Sequence, residues 1–421
     1  MHDFTFKNNE LYCEGIRVRR IAKDVGTPFY LYSYKTLVDH LKKIQRAFAK
    51  IDPIICFAMK SNDNLSVIKS LVDQGAGCDI VSGGELQKAV IAKADPEKIV
   101  YASVGKTEEE ILYALKVGIL LFNVESVSEI EAINRIARKY KRKAPIAIRI
   151  NPNVEAATHE AITTGTLKNK FGIDLTTARD LLRKRKKYRF VQIKGLHMHI
   201  GSQIVKREPF INAIKKVISF VEELRSDGIH LEYLNIGGGL GIIYKDEKPQ
   251  TAKDFAEAVV PYLEKTALKI IMEPGRFITG NAGILVTKVL YTKDNGFKKF
   301  LIVDAGMNDL IRPALYKSYH EIVPVVANPS RKMTFDVVGP ICESDDFLGK
   351  ERKLPAMKKG ELLAVMSAGA YGFTMSSNYN ARRRVPEVMV KGRQYNVIRE
   401  REKFQDLIAG EKIANFIKTL K

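Results

Sequence analysis

The sequence predicts an α/β architecture joined to an all-β one: a (β/α)8 TIM-type barrel followed by a C-terminal β-domain. Three observations carry the prediction. Between Ile54 and Met272, eight strand-like runs alternate with amphipathic helical stretches, the pattern of parallel β/α folds. Polar, small and titratable residues gather at the C-terminal ends of those runs, where such barrels keep their chemistry. After about residue 282, short strand-like runs split by Gly, Pro, Asn and Asp replace the alternation. An open doubly wound sheet is the alternative, but no GxGxxG fingerprint follows the first strand to support it.

The chain begins with an alternating segment, Leu11 through Val18, expected as one strand, and Thr27–Tyr32 is expected as a second. Leu37, Leu41, Ile44 and Phe48 then fall on one helical face. The eight barrel strands are expected at Ile54–Met59, Cys78–Val81, Ile99–Ala102, Leu120–Val124, Ile146–Ile150, Val191–Ile200, Leu231–Ile236 and Lys269–Met272. Helices are expected between them, at Leu65–Val72, Glu85–Ala94, Glu108–Leu115, Val127–Tyr140, Phe210–Leu224 and Phe255–Leu263. Eight units in roughly 230 residues suit a closed barrel of ordinary size. Further strands are expected at Ile284–Leu290, Lys299–Val303, Thr334–Val338, Leu362–Met366 and Glu387–Val390, and a helix over Phe404–Lys421. The expected domains are residues 26–281 for the barrel, with 1–25 and 282–421 forming a β-sandwich or β-barrel domain.

Composition narrows the function. With 421 residues, 45% apolar and 28% charged, the chain can bury a large core and is no disordered polymer. No apolar run is long enough to cross a bilayer. Met1-His2-Asp3-Phe4 is not a basic segment leading into an apolar one, so no secretory signal is expected. The four cysteines, Cys13, Cys56, Cys78 and Cys342, have no metal-ligand spacing. A reducing cytoplasm and no metal are expected. The net charge of +21 raises the question of nucleic acid. Its densest runs, Arg138–Lys143 and Arg183–Lys187, close helical segments, where cations complement the dipole. They lack the interleaved aromatics of a single-strand groove. A solvated basic surface, with no specific nucleic-acid partner, is the reading taken forward.

Taken in order, the strand ends describe a site. The first run stops at Lys60 in Cys56-Phe-Ala-Met-Lys-Ser-Asn62. A lysine where a buried strand meets a loop is expected to be partly desolvated, with a lowered pKa and a nucleophilic amine. Such an amine condenses with aldehydes. The bland alternative is a snorkelling lysine. The seventh strand ends in Gly237, Gly238 and Gly239, and the eighth in Glu273-Pro274-Gly275-Arg276. Glycine turns let backbone N–H groups approach an anion, and adjacent seventh and eighth strand ends often hold phosphate in barrels. His199, between Met198 and Ile200 on the sixth strand, is placed to stack on a planar group. Glu273 is placed to hold a proton on a ring nitrogen. Lysine, histidine, carboxylate and phosphate cradle together specify pyridoxal phosphate; no single member does.

On these residues the chain resembles the fold type III pyridoxal-phosphate decarboxylases of basic amino acids, and within them the diaminopimelate decarboxylase family. The motifs run from about residue 28 to 402. They include Phe57–Asn62, Cys78–Leu86, Lys170–Gly172, His199–Gln203, Glu273–Arg276, Asp304–Asp309, Arg312–Tyr316, Gly339–Ser344 and Ser367–Gly372. The Arg-Pro-Ala-Leu-Tyr and Cys-Glu-Ser stretches are the most specific to that family. The chain departs from it in Met59 and Ser61 flanking the lysine, and in the uninterrupted Arg382-Arg383-Arg384.

The resemblance implies an alanine racemase-like two-domain architecture and decarboxylation of meso-2,6-diaminopimelate to L-lysine and CO2, the last step of lysine biosynthesis. It implies pyridoxal 5'-phosphate as a Schiff base on Lys60, stacked by His199 and contacted at its ring nitrogen by Glu273. Ser202, Gly237–Gly239, Pro274, Gly275, Arg276 and Tyr371 are implied around the phosphate. Arg276, Arg312, Tyr316 and Tyr371 are implied on the substrate side, with Glu343 at its distal ammonium. Cys342, reaching over from a second subunit, is implied to reprotonate the substrate carbon or to assist that step, which makes the site that of a homodimer. Alternatives are a sister decarboxylase of ornithine, arginine or carboxynorspermidine, and a non-enzymatic barrel that only carries the cofactor.

Overall fold

The computed structural model describes residues 2–154 and 170–417. Among them, eight parallel strands close into a barrel: Ile54–Ala58, Gly77–Ile80, Ile99–Tyr101, Leu121–Val124, Ala144–Arg149, Val191–His197, Tyr233–Asn235 and Lys269–Met272. The last pairs with the first through Ile271 with Ile54 and Met272 with Ile55, which closes the ring. Each observed strand lies within a few residues of its expected run. Several end earlier, because their last residues turn out of the ladder to form the rim.

Sequence chemistry explains the intervening helices. Leu65–Val72 starts on Asn64, whose side chain accepts from the Ser66 amide at 2.9 Å. Glu108–Val117 opens with a Thr107/Glu110 capping box and three acidic residues, and stops at Gly118 with φ +78°, so both ends are satisfied and the dipole is complemented. The long helix Glu208–Ser226 buries Phe210, Ile214, Val217, Val221 and Leu224 along one stripe. Phe210 in turn packs on Phe255 of the helix Ala252–Leu263, ring centroids 4.7 Å apart.

The chain divides into two compact units. One comprises residues 1–3, 33–283 and 367–374, the other 4–32, 284–366 and 375–421. Against the boundaries expected from sequence, residues 26–32 group with the β unit, and residues 2–3, 282–283 and 367–374 with the barrel. The β unit carries a nine-stranded mixed sheet. Phe29–Ser33 lies in its middle, between Gly283–Asp294 and Glu387–Lys391. Its core gathers Phe4, Leu11, Ile21, Leu31, Val286, Ala364, Val388 and others.

Two expectations need correction. Leu11–Val18 is not one strand. Glu10–Cys13 and Ile16–Arg17 form a hairpin, with Cys13 opposite Ile16, and helix Val18–Val25 follows. Glu14, at φ +52°, and Gly15 form the two-residue turn, a signal that alternation alone overrides. The C-terminal helix is short, Phe404–Leu407, and Gly410 at φ +86° follows it; residues 418–421 lie outside the described residues. The two basic runs do close helical segments, Val127–Lys139 and Leu175–Arg183, and are largely exposed.

Gly77 marks how tightly the strands approach. A Cβ there would lie 2.0 Å from the Lys98 carbonyl oxygen of the next strand's approach. Gly77→Ala is therefore expected to cost about 1–3 kcal/mol through overpacking, read as a lower urea midpoint at constant m-value; an unchanged midpoint would mean that the strand shifts freely.

Candidate active site

Lys60 occupies a 3-10 turn, Met59–Ser61, directly after the first barrel strand. Its Nζ donates to Asp79 Oδ2 at 2.8 Å, and Asp79 is fully buried on the second strand while about a third of the Lys60 side chain is exposed. This pair reverses the expected shift. Burial pulls the lysine pKa down, but the Asp79 carboxylate, helped by Tyr371 and Glu273, outweighs it and raises the pKa above the ordinary lysine value. Asp79 itself is pushed up to about 6, by burial first and by the Glu273 charge second, against the opposing pull of Lys60. The resting amine is a parked ammonium.

Glu273 follows the eighth strand and is 4% exposed. A buried carboxylate must be paired or hydrogen-bonded to remain charged. Asn123 Nδ2 donates to Oε1 at 2.9 Å, Asn235 Nδ2 to the same oxygen at 2.6 Å, and His197 Nε2 faces Oε2 at 3.2 Å. These donors come from the fourth, seventh and sixth strands. Burial favours the neutral acid, but His197, with Lys60 adding, overrides it and holds Glu273 well below the usual carboxylate range. An ionised carboxylate buried in the barrel is the electrostatic centre of the site.

His199 is neutral: burial lowers its pKa well below the usual histidine value, and the nearby Arg149 and Lys60 charges push the same way. Its Nδ1 accepts from the Gly238 amide at 3.2 Å, which leaves the ring proton on Nε2. Gly237 and Gly239 have φ of +69° and +107°. A Cβ on Gly238 would lie 2.1 Å from the Glu273 carbonyl, so only bare backbone fits beside the eighth strand. Arg276, 7% exposed, donates to Tyr244 Oη at 2.6 Å and to Ser202 Oγ at 3.0 Å, and its guanidinium lies 4.9 Å from the Tyr371 ring centroid. The Tyr371 amide in turn donates to the Ser61 carbonyl at 2.8 Å, tying that ring to the lysine turn. One cavity is lined by Lys60, His199, Ser202, Gly239, Glu273, Pro274, Gly275, Arg276 and Tyr371. Gly237 and Gly238 are not among its lining residues. A much larger cavity, lined by Lys98, Arg142, Lys194 and Lys269 among others, lies at the strands' N-terminal ends and contains none of these groups.

The remaining expected residues belong to the β unit. Arg312 opens the helix Arg312–Tyr316 and is 5% exposed, its guanidinium 5.9 Å from the Tyr316 ring centroid. The two do share a helical face. Cys342 is exposed, in a turn where its amide donates to Asn380 Oδ1 at 2.7 Å. Beneath it Asp346 accepts from the amides of Ile341 at 2.6 Å and Met307 at 2.7 Å. Glu343 is exposed too, with Tyr379 Oη 3.5 Å from its Oε2. Neither the thiol nor the carboxylate is spent on a core role.

Residues 34–280 match the family model described as "Pyridoxal-dependent decarboxylase, pyridoxal binding domain". Over 404 residues the chain is 48% identical to a diaminopimelate decarboxylase of Aquifex aeolicus, covering 96% of each chain. The crystal structure of the Helicobacter pylori diaminopimelate decarboxylase complexed with L-lysine superposes with a TM-score of 0.90 at 41% identity, over 93% of this chain and 98% of that one. The M. jannaschii diaminopimelate decarboxylase, also in complex with L-lysine, gives 0.93 at 37% identity over 98% of both. The chain belongs to the diaminopimelate decarboxylase family.

Pyridoxal phosphate is therefore its cofactor, and the donor set fits it. One cavity offers an amine, a neutral imidazole, a carboxylate held ionised, and a glycine turn beside an arginine. These match the aldehyde, the ring face, the ring nitrogen and the phosphate respectively. Residue-by-residue reading missed Asp79, Asn123, His197, Asn235 and Tyr244. Four of these are polar residues inside otherwise apolar barrel strands. An interruption of that kind in a strand buried on both faces is the signal that finds them. Among the described residues no cluster of His, Cys, Asp and Glu is arranged to hold a metal, and no helix is long and apolar enough to cross a membrane.

Because capture of an aldehyde needs the neutral amine, covalent capture of pyridoxal phosphate by cofactor-free protein should fall as pH drops through and below the raised Lys60 pKa. Asp79→Asn removes the partner that raises it and leaves burial, which lowers it. The capture profile, read by borohydride trapping, is then expected to move to lower pH; an unmoved profile would show that Asp79 does not control the amine.

Proposed function

We propose that this chain decarboxylates meso-diaminopimelate to L-lysine and carbon dioxide using pyridoxal phosphate held on Lys60. The observation that best supports the reaction class is Glu273, kept ionised by three donors in the cavity that Lys60 also lines. The substrate assignment is supported by the likeness to diaminopimelate decarboxylases over nearly the full chain.

Bound pyridoxal phosphate supplies an electrophilic carbon for amines and a protonated ring that draws off electrons as a carboxylate leaves. The protein sets the conditions for that chemistry. Lys60 would hold the cofactor through its amine. Glu273, held ionised, would keep a proton on the ring nitrogen. His199 would face the ring as a neutral group and add no charge there. The glycine turn with Ser202, Gly275, Arg276 and Tyr371 would hold the phosphate. Cys342, from a second copy of the chain, would supply a proton to the substrate carbon or assist that step. Arg312 and Tyr316, with Arg276 and Tyr371 on the substrate side, receive the distal carboxylate, and Glu343 the distal ammonium. A long diamino diacid satisfies both charges at the far end. Lysine, ornithine and arginine lack the second carboxylate, so none of them brings Arg312 a distal carboxylate to receive. The enzyme works as a homodimer in the cytoplasm, with no nucleic-acid partner.

Product release by cofactor-loaded protein offered meso-diaminopimelate, ornithine, arginine and lysine separately tests the reading. Lysine and carbon dioxide from diaminopimelate alone are expected. Turnover of ornithine or arginine would transfer the protein to a sister activity, and a borohydride-trapped Lys60 adduct without any turnover would leave only a cofactor carrier. Arg312→Ala is expected to raise KM for diaminopimelate on the order of ten- to hundred-fold, the loss of a charge-assisted pair, with cofactor content unchanged. Co-expressing Lys60→Ala with Cys342→Ala chains should restore activity to about a quarter of sites if the two residues come from different copies; no restoration would put both on one chain.

A further inference from the structure

We propose that His320 is a positioning residue for substrate binding: it fixes the plane of the Arg312 guanidinium as a neutral hydrogen-bond acceptor. The proposal rests on the reading above that Arg312 receives the distal carboxylate.

The geometry is confined to the β unit and begins at the end of a short helix. Lys317, at φ +52°, terminates Arg312–Tyr316 and turns the chain back. Ser318 and His320 are thereby returned alongside the residue that opened the helix. Arg312 Nε–H donates to His320 Nε2 at 3.3 Å, and Nη2–H donates to Ser318 Oγ at 3.3 Å. His320 is fully buried, and its other ring nitrogen, Nδ1, lies 2.9 Å from the Met366 carbonyl oxygen. A carbonyl only accepts, so Nδ1 carries the ring proton and Nε2 is the lone pair that Arg312 needs. The backbone locks this choice. The Met366 amide donates to the Glu321 carbonyl at 2.8 Å, and Ile322–Pro324 pairs antiparallel with Leu363–Val365. The imidazole is thus held at both ends: on one side by a strand pair, on the other by the arginine.

The choice of residue type has a consequence for binding. A carboxylate at position 320 would hold the guanidinium more strongly, but it would cancel its charge and compete with any incoming carboxylate. An apolar residue would remove the acceptor that Nε–H uses. A neutral imidazole orients the fork without cancelling its positive charge. Anchoring Nε and Nη2 sets the plane of the fork, and hence the direction from which a carboxylate meets it. Preorganisation of that kind improves substrate affinity without touching the bond-breaking step.

The test is a KM-against-kcat comparison on cofactor-loaded full-length enzyme. His320→Leu should raise KM for meso-diaminopimelate about ten-fold or more, the cost of removing an acceptor from a charged donor, with kcat within about two-fold and cofactor content unchanged. His320→Gln, whose amide both accepts and donates, should recover most of the loss. In an Arg312→Ala background, His320→Leu should add no further rise in KM. If it adds the same factor there, or if Gln behaves as Leu does, His320 is merely structural and the proposal fails. If Arg312→Ala itself leaves KM unchanged, the assignment of Arg312 fails instead, whatever His320 does. Should the leucine variant not fold, His320→Asn keeps polarity but stops short of Arg312, and the same comparison decides.

Discussion

The structure depends on keeping one carboxylate charged inside a closed barrel. Glu273 is removed from water, and its ionised form persists only because three strands each contribute a donor to it. That requirement couples site to fold. Asn123, His197 and Asn235 reach Glu273 only when the fourth, sixth and seventh strands hold their register relative to the eighth. Asn235 also accepts, through Oδ1, the Gly237 amide at 2.9 Å, so the side chain that stabilises Glu273 also shapes the glycine turn. Loss of register at one strand would therefore disturb the Glu273 carboxylate and the glycine turn together.

A second charge balance follows from the first. Asp79 lies near enough to Glu273 for the two to repel, and with both buried one of them must be raised; the donors select Asp79, at about 6. Lys60 supplies the cation that lets Asp79 remain ionised. Lys60 is thus the counter-ion of a buried carboxylate in the resting protein.

What the sequence made legible, and what it hid, follows from the same geometry. Strand ends were readable because polar residues stop an apolar run, and Lys60, His199, the glycine turn and Glu273 all stand at such stops. Asp79, Asn123, His197 and Asn235 lie one layer deeper, inside the strands, where a parallel barrel gives no alternation to mark which faces point inward. The sign of the Lys60 shift was misread for that reason: desolvation was visible from the strand end, but the partner that overrides it sits 19 residues away on the next strand. The amino-terminal hairpin was missed differently. Glu14 and Gly15 are a turn signal, and the apolar alternation around them suggested one continuous strand.

The β unit shows the complementary limit. Arg312 and Tyr316 are four apart and were expected to share a face, which helical periodicity supplies. His320 is eight residues from Arg312, which on a continuing helix would place it about 12 Å further along the axis and out of reach. Only the left-handed turn at Lys317 brings it back within reach. The two charged devices also differ in kind. Glu273 is held by donors because its task is to keep a negative charge that burial would neutralise. Arg312, which never loses its charge, needs no such help; what it lacks is direction. A neutral acceptor supplies direction and takes nothing from the charge, which is why a histidine with its proton committed to a backbone carbonyl suits that position better than an acid.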